Sequence, residues 1–354
     1  MTRRSLAERA HEQLHKLPGM PEHSEGTRTR QVAVAAAPAI STSGLTKAYS
    51  ETAGIFDVDL EVPDGTVMAL LGPNGAGKTT ALRVLSTLLR PDRGTVRVGS
   101  FDALTQPDRV RALIGVASQG SGIDEKLSGR VNLNMFARLH RLSRQTARQR
   151  TAELLDRFDL TDAADKMVRS YSGGMRRKLD LAVSLIGCPS ILFLDEPTTG
   201  LDPASRHALW DIVRGLVQDG TTVLLTTQYL NEADALADGV TFIDRGRVIA
   251  RGTPAELKAR IGGRHAEFAM ASADEAGQLA PKLSAFEATL EGNRVRIAIG
   301  DRPADLARLM LAFEQAGIEP VDYQVRTPSL DDVYFALTGR THAEQRADTL
   351  EAAR

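Results

Sequence analysis

Gly72-Pro73-Asn74-Gly75-Ala76-Gly77-Lys78-Thr79, followed by Thr80, stands between two segments of different periodicity. Ahead of it, Val67-Met68-Ala69-Leu70-Leu71 is an unbroken apolar run of the kind that forms a buried strand. Behind it, Leu82, Leu85 and Leu89 recur at helical spacing. A strand that turns through three glycines into a helix is the context of a phosphate-binding loop. Gly72, Gly75 and Gly77 let the backbone fold into a concave turn with its N–H groups inward, and the helix N-terminus adds partial positive charge at the same place. Lys78 supplies a full charge to terminal phosphates, and the Thr79 hydroxyl is placed to ligand the Mg²⁺ that screens them. Gly72, Pro73, Asn74, Gly75, Ala76, Gly77, Lys78, Thr79 and Thr80 are therefore the candidate nucleotide-binding residues.

Two further motifs narrow the chemistry. Ser190-Ile191-Leu192-Phe193-Leu194-Asp195-Glu196-Pro197 reads as a buried strand ending in adjacent carboxylates, and strand ends are where doubly wound sheets bind ligands. There Asp195 is expected to hold magnesium through water and Glu196 to polarise the attacking water as a general base. Taken alone, the same residues also fit a strand followed by an acidic helix cap. Tyr171-Ser172-Gly173-Gly174-Met175 precedes a helix with Met175, Leu179, Ala182, Val183 and Ile186 on one face. Ser172 is its expected N-cap, and Gly173 and Gly174 leave backbone N–H groups uncovered as a second anion site. An ordinary capped helix is the alternative for these five residues.

In this order the phosphate loop, Ser-Gly-Gly and Leu-Asp-Glu-Pro resemble the ATP-binding cassette of ABC transporters. That resemblance implies ATP and Mg²⁺, and a homodimer in which the Ser-Gly-Gly element of one cassette closes over ATP held by the other. It also implies a separate membrane-spanning permease and a peripheral place on the cytoplasmic face of the membrane. Tyr49 matches the aromatic residue that stacks on adenine, Gln119 the hinge glutamine that approaches Mg²⁺ and the water, and Asp202 the loop crossing the dimer seam. By resemblance the metal residues are Thr79, Asp195 and Gln119, and the catalytic residues are Glu196, Gln119 and Gln228. Gln228 stands where most cassettes carry a histidine that contacts the γ-phosphate; it can donate a hydrogen bond but cannot become cationic, so slow hydrolysis is expected. Thr226-Thr227-Gln228-Tyr229-Leu230 with Glu232-Ala233-Asp234 is similar to the daunorubicin-resistance branch, which implies export of a hydrophobic drug, antibiotic or lipid. Two alternatives stay open: a soluble ABC ATPase outside transport, and an ATP-binding module with little turnover. Leu127-Ser128-Gly129-Arg130 mimics Ser-Gly-Gly but lacks its second glycine.

Composition agrees with an enzyme of this kind. The chain has 354 residues, enough for about two domains, and its 44 Lys and Arg against 45 Asp and Glu give no global field for nucleic acid. The single cysteine, Cys188, lies in an apolar stretch and is expected to be a buried structural thiol, which rules out a disulfide framework. No apolar run reaches the roughly 18 residues of a spanning helix. The stretch Val32 to Ile40 is too short for a secretory leader and contains Pro38.

The expected organisation is an α/β P-loop ABC nucleotide-binding domain with an inserted helical lobe, followed by a small α+β, ferredoxin-like domain. Residues 1–38 read as a disordered tail, 39–262 as the cassette with its lobe over about 127–186, 264–340 as the small regulatory or dimerisation domain, and 341–354 as a second tail. The lobe has Leu133, Phe136, Ala137 and His140, then a basic stretch from Arg141 to Arg150 read as a solvated helix face, then Leu154, Leu155 and Phe158. By resemblance, Gly120 to Leu133 forms the contact set for the permease. After Gly262-Gly263, strands are expected at His265–Met270, Ala285–Leu290, Val295–Ile299 and Val321–Val325, with helices near Ala273–Leu283 and through Leu306, Leu309, Met310 and Phe313. Ser329-Leu330-Asp331-Asp332 signals the cap of a last helix.

Overall fold

The computed structural model describes residues 37–118, 122–261, 264–282, 288–300, 302–317 and 319–339. The two tails beyond these bounds, the Gly262-Gly263 linker and Gln119 with Gly120 lie outside the described residues. The chain falls into two compact units that divide between Arg251 and Gly252.

The first unit runs β1 (Ile40–Ala48), β2 (Gly54–Val62), β3 (Val67–Leu71), α1 (Lys78–Leu85), β4 (Arg93–Val98), β5 (Phe101–Asp102), α2 (Pro107–Leu113) and β6 (Ile114–Ala117). It continues with α3 (Gly129–Leu139), α4 (Arg144–Arg157), α5 (Gly173–Ser184), β7 (Ile191–Asp195), α6 (Pro203–Gln218), β8 (Thr222–Thr227), α7 (Leu230–Leu236), β9 (Gly239–Asp244) and β10 (Arg247–Gly252). Among the described residues, one sheet has the order β2-β1-β4-β5 and is antiparallel; the other has the order β10-β9-β3-β8-β7-β6.

In the second sheet β9, β3, β8, β7 and β6 are parallel neighbours. A parallel strand covered on both faces is apolar without alternation, and β7 and β8 are buried at every position. The register pairs Leu71 with Thr227, Asp195 with Thr226 and Ala117 with Leu194. Because these strands run the same way in register, the residues that leave them, Gly72, Ser118, Glu196 and Gln228, emerge along one edge of the sheet. Leu82 and Leu85 of α1 join Ile40, Leu45 and Val96 of the antiparallel sheet and Phe193, Leu224 and Ile243 of the parallel one in a single core. Phe193 is fully buried, and its truncation to alanine would cost about 3–5 kcal/mol.

The helical lobe forms where the spacing predicts it. Ser128 caps α3, Ser143 caps α4, and Leu133, Ala137, Leu154, Leu155 and Phe158 are buried. Arg141, Arg144 and Arg148 are exposed, as a solvated basic face requires. Cys188 corrects an expectation: it is exposed, not buried. It sits in the turn between α5 and β7 with φ 53, a left-handed conformation that turns its side chain out of the apolar stretch around it.

The second unit contains α8 (Pro254–Arg260), β11 (His265–Ala269), α9 (Ala273–Lys282), β12 (Ala288–Glu291), β13 (Arg294–Ala298), α10 (Pro303–Ala316), β14 (Asp322–Arg326) and α11 (Leu330–Thr338). Its sheet order, β12-β13-β11-β14, is antiparallel throughout and gives the βαββαβ ferredoxin-like arrangement. Phe268, Ile297, Leu309 and Phe313 form its core, with the Phe268 and Phe313 rings stacked at 4.2 Å. A capping box joins Ser329 and Asp332 at the start of α11. This helix packs on α8, so α8 belongs to the second unit although it precedes the Gly262-Gly263 linker.

Candidate nucleotide site

The loop after β3 reaches α1 through Gly77, which has φ 104. A Cβ there would lie 2.6 Å from Ile55 Cγ2 and 3.0 Å from the Gly54 carbonyl, so glycine is required both for conformation and for space. Gly75 differs: at φ 79 it faces nothing within 4 Å, leaving the crest of the loop open. Lys78, whose side chain is 4% exposed, turns back under the loop, where Nζ donates to the Gly72 and Pro73 carbonyls at 2.8 and 3.0 Å and lies 3.3 Å from Glu196 Oε1. Burial pushes the lysine below its ordinary pKa, and the Glu196 and Asp195 carboxylates oppose that shift.

The two carboxylates at the end of β7 do face different partners. Asp195, buried, accepts from Thr79 Oγ1 at 3.2 Å and from Thr226 Oγ1 at 2.6 Å through the same oxygen, Oδ1. Glu196 has φ 46, a left-handed backbone for a residue that is not glycine. Its amide donates to the Thr226 carbonyl at 3.0 Å and also to Thr226 Oγ1 at 3.1 Å. On its side chain, Oε2 accepts from Thr199 Oγ1 at 3.3 Å while Oε1 faces Lys78. Such a backbone costs on the order of 1–3 kcal/mol and persists only where neighbours over-determine it. Thr79 Oγ1 and Asp195 are hard oxygen donors converging on one point beside the phosphate loop, the type of set that suits magnesium.

Ser172 caps α5 by accepting from the Met175 amide at 3.2 Å. Gly173 has open space where a Cβ would stand, whereas a Cβ on Gly174 would come within 2.5 Å of Ser205 Oγ. Ser205 is in turn fixed by Asp202, which caps α6 by accepting from its amide at 2.9 Å and its hydroxyl at 2.5 Å. The Ser172–Gly174 turn and Asp202 are thus neighbours in one chain, engaged with α5 and α6 rather than with the phosphate loop. The mimic at Ser128-Gly129 also caps a helix, but a Cβ on Gly129 would meet the Tyr171 hydroxyl at 2.4 Å, so that turn is closed.

Gln228 follows β8 directly and is half-buried. Next to it, the Tyr229 ring lies beneath the Arg206 guanidinium at 5.3 Å, and buried Glu232 accepts from Trp210 Nε1 at 3.2 Å. Tyr49 is 59% exposed just beyond β1, and its amide bonds the Ala53 carbonyl at 2.8 Å. Gln119 itself is not described, but Ser118 before it is held by Arg177, whose Nη1 donates to the Ser118 carbonyl at 3.0 Å. The chain therefore brings Lys78, Thr79, Asp195 and Glu196 into one cluster, with Gln228 leaving the same sheet edge. Three members of the cluster's support escaped the sequence: Thr199, Thr226 and Arg177. The threonine pair that ends β8 after Val223, Leu224 and Leu225 was the one visible signal for Thr226.

Comparison with known proteins agrees with this geometry. The ABC transporter family profile matches residues 55–199. Daunorubicin resistance ATP-binding protein DrrA3 of Streptomyces coeruleorubidus is 50% identical over 85% of this chain and 96% of its own length. Daunorubicin/doxorubicin resistance ATP-binding protein DrrA of Streptomyces peucetius is 48% identical over 89% of this chain and 96% of its own. Among solved structures, an ATP-binding subunit of an ABC transporter superposes with a TM-score of 0.56 at 27% identity, over 62% of this chain and 92% of that one. With 50% identity to a relative over 303 residues, nearly that relative's whole length, the chain belongs to the ABC transporter family and is an ATP-binding, ATP-hydrolysing subunit.

Proposed function

We propose that two copies of this chain close on two MgATP, each nucleotide held by the phosphate loop of one copy and the Ser172–Gly174 turn of the other. Closure and hydrolysis then drive a separate permease that exports a hydrophobic drug of the daunorubicin class. The observation that carries this reading is the division of labour within one chain. Lys78, Thr79, Asp195 and Glu196 are already joined, while Gly173 presents an uncovered helix N-terminus elsewhere in the chain.

In this reading the backbone from Gly72 to Thr80 wraps the phosphates, and Lys78 Nζ exchanges its bonds to the Gly72 and Pro73 carbonyls for the terminal phosphates. Magnesium, when bound, would neutralise developing charge on the phosphate oxygens. Thr79 and Asp195 would hold it, with Gln119 approaching from the hinge. Glu196 Oε1, freed from Lys78, takes a proton from the attacking water. Gln228 donates to the γ-phosphate, and Tyr49 stacks on the adenine. Among the described residues no helix is long and apolar enough to cross a membrane, so attachment to the cytoplasmic face would come from the permease, with part of its contact over Gly120 to Leu133. The βαββαβ unit would set cassette geometry in the dimer.

Glu196→Gln tests the reading. Hydrolysis should fall at least about a thousandfold while ATP affinity stays within about threefold. An unchanged rate would remove Glu196 from its role.

A further inference from the structure

Arg177, on the second turn of α5, makes a set of bonds that its position on an amphipathic helix does not require. Its side chain is 15% exposed. Nε donates to the Pro197 carbonyl at 2.8 Å and Nη2 to the Asp195 carbonyl at 3.0 Å. Nη1 donates to the Ser118 carbonyl at 3.0 Å and to Asp180 Oδ2 at 2.9 Å. One rigid planar fork thus reaches from α5 to the ends of β6 and β7.

The placement of those carbonyls matters more than their number. Asp195 and Pro197 flank Glu196, the residue with the left-handed backbone. Thr226 grips the Glu196 amide from the β8 side, and Arg177 grips the carbonyls of the residues before and after it, Asp195 and Pro197, from the α5 side. Between them they over-determine a conformation that is otherwise unfavourable. The third carbonyl belongs to Ser118, the last described residue before Gln119. The same guanidinium therefore also holds the chain where it leaves β6.

We propose that Arg177 is a positioning residue that sets Glu196 and the end of β6 at Ser118 from the helix whose N-terminus carries Ser172–Gly174. It touches no reacting atom. A shift of α5 when Ser172–Gly174 engages the partner's nucleotide is transmitted through the fork to this chain's own Glu196, which links the two pockets of a dimer. This rests on the function proposed above.

The test uses the full chain with Arg177→Met, Arg177→Lys and Asp180→Asn, reading kcat, ATP affinity and melting temperature. Arg177→Met is expected to lower kcat at least about tenfold with ATP affinity within about twofold, because the phosphate loop does not contact the fork. Arg177→Lys, a point charge without the fork, should recover less than half of that loss. Asp180→Asn leaves all three carbonyl bonds in place and should keep kcat within about twofold. The inference is overturned if Arg177→Met leaves kcat unchanged. It is overturned equally if Asp180→Asn lowers kcat as much as Arg177→Met, or if kcat and ATP affinity fall together, since those results mark a loss of α5 packing. Should Arg177→Met fail to fold, Arg177→Lys decides: full wild-type kcat overturns the inference, and a selective kcat loss supports it. The Glu196→Gln variant separates this from the underlying reading: an unchanged rate there removes Glu196 from the role on which this inference rests, whatever Arg177 does.

Discussion

Thr226 Oγ1 donates to Asp195 Oδ1 at 2.6 Å and accepts from the Glu196 amide at 3.1 Å, so one buried hydroxyl on β8 orients both carboxylate-bearing residues at the end of β7. Parallel pairing makes this possible, because Asp195 stands opposite Thr226 in the register. Thr226→Val keeps the shape and β-branching but deletes both bonds. The expected result is a stability loss of about 1–3 kcal/mol, from a buried carboxylate oxygen left with Thr79 alone, together with at least a tenfold fall in kcat. Denaturant unfolding and steady-state ATPase measurements check the two parts.

Gly173 offers a sharper separation of folding from function. A methyl there meets nothing within 4 Å, and alanine is the better helix former, so Gly173→Ala should leave the melting temperature equal or slightly raised, by up to about 1 kcal/mol in stability. If the partner's nucleotide docks on this turn, the methyl occupies its place and ATP hydrolysis should fall at least about tenfold, with single-chain ATP binding unchanged. A fully active Gly173→Ala would count against the shared pocket.

Asp180 makes a pH-dependent contribution of defined sign. Burial pushes its carboxyl up from 3.8 to about 6, against the pull of Arg177. Between those values the folded chain binds more protons than the unfolded one, so this group's contribution to stability falls as pH rises through that window. Above it the buried charge weighs against the fold by no more than about 3 kcal/mol. Asp180→Asn should therefore gain on the wild type as pH is raised from 4.5 to 7.5 in paired denaturation curves. A gap that stays constant across that range would contradict the shift.

How much of this was legible beforehand follows from the range of the interactions. The phosphate loop, the carboxylate strand and the Ser172 cap are local patterns of glycine, apolar run and capping residue, and each forms where its own residues direct. The βαββαβ order of the second unit was legible for the same reason, from the order of its strand segments and the face made by Leu309 and Phe313. Arg177 was not, because its partners are the carbonyls of Ser118, Asp195 and Pro197, groups every residue has and no sequence marks. The left-handed backbone of Glu196 was hidden likewise, since nothing about glutamate signals it. Cys188 misled through its apolar neighbours: the chain turns at that residue and points it outward.

The central claim is that ATP joins two copies of this chain through complementary halves of shared pockets. Light scattering on size-exclusion fractions of the purified Glu196→Gln variant, run with and without MgATP, tests it most directly. The account predicts the mass of one chain without nucleotide and of two chains with it, reverting when ATP is exchanged for ADP. A single-chain mass at saturating MgATP, in the presence of the permease as well as without it, would contradict it.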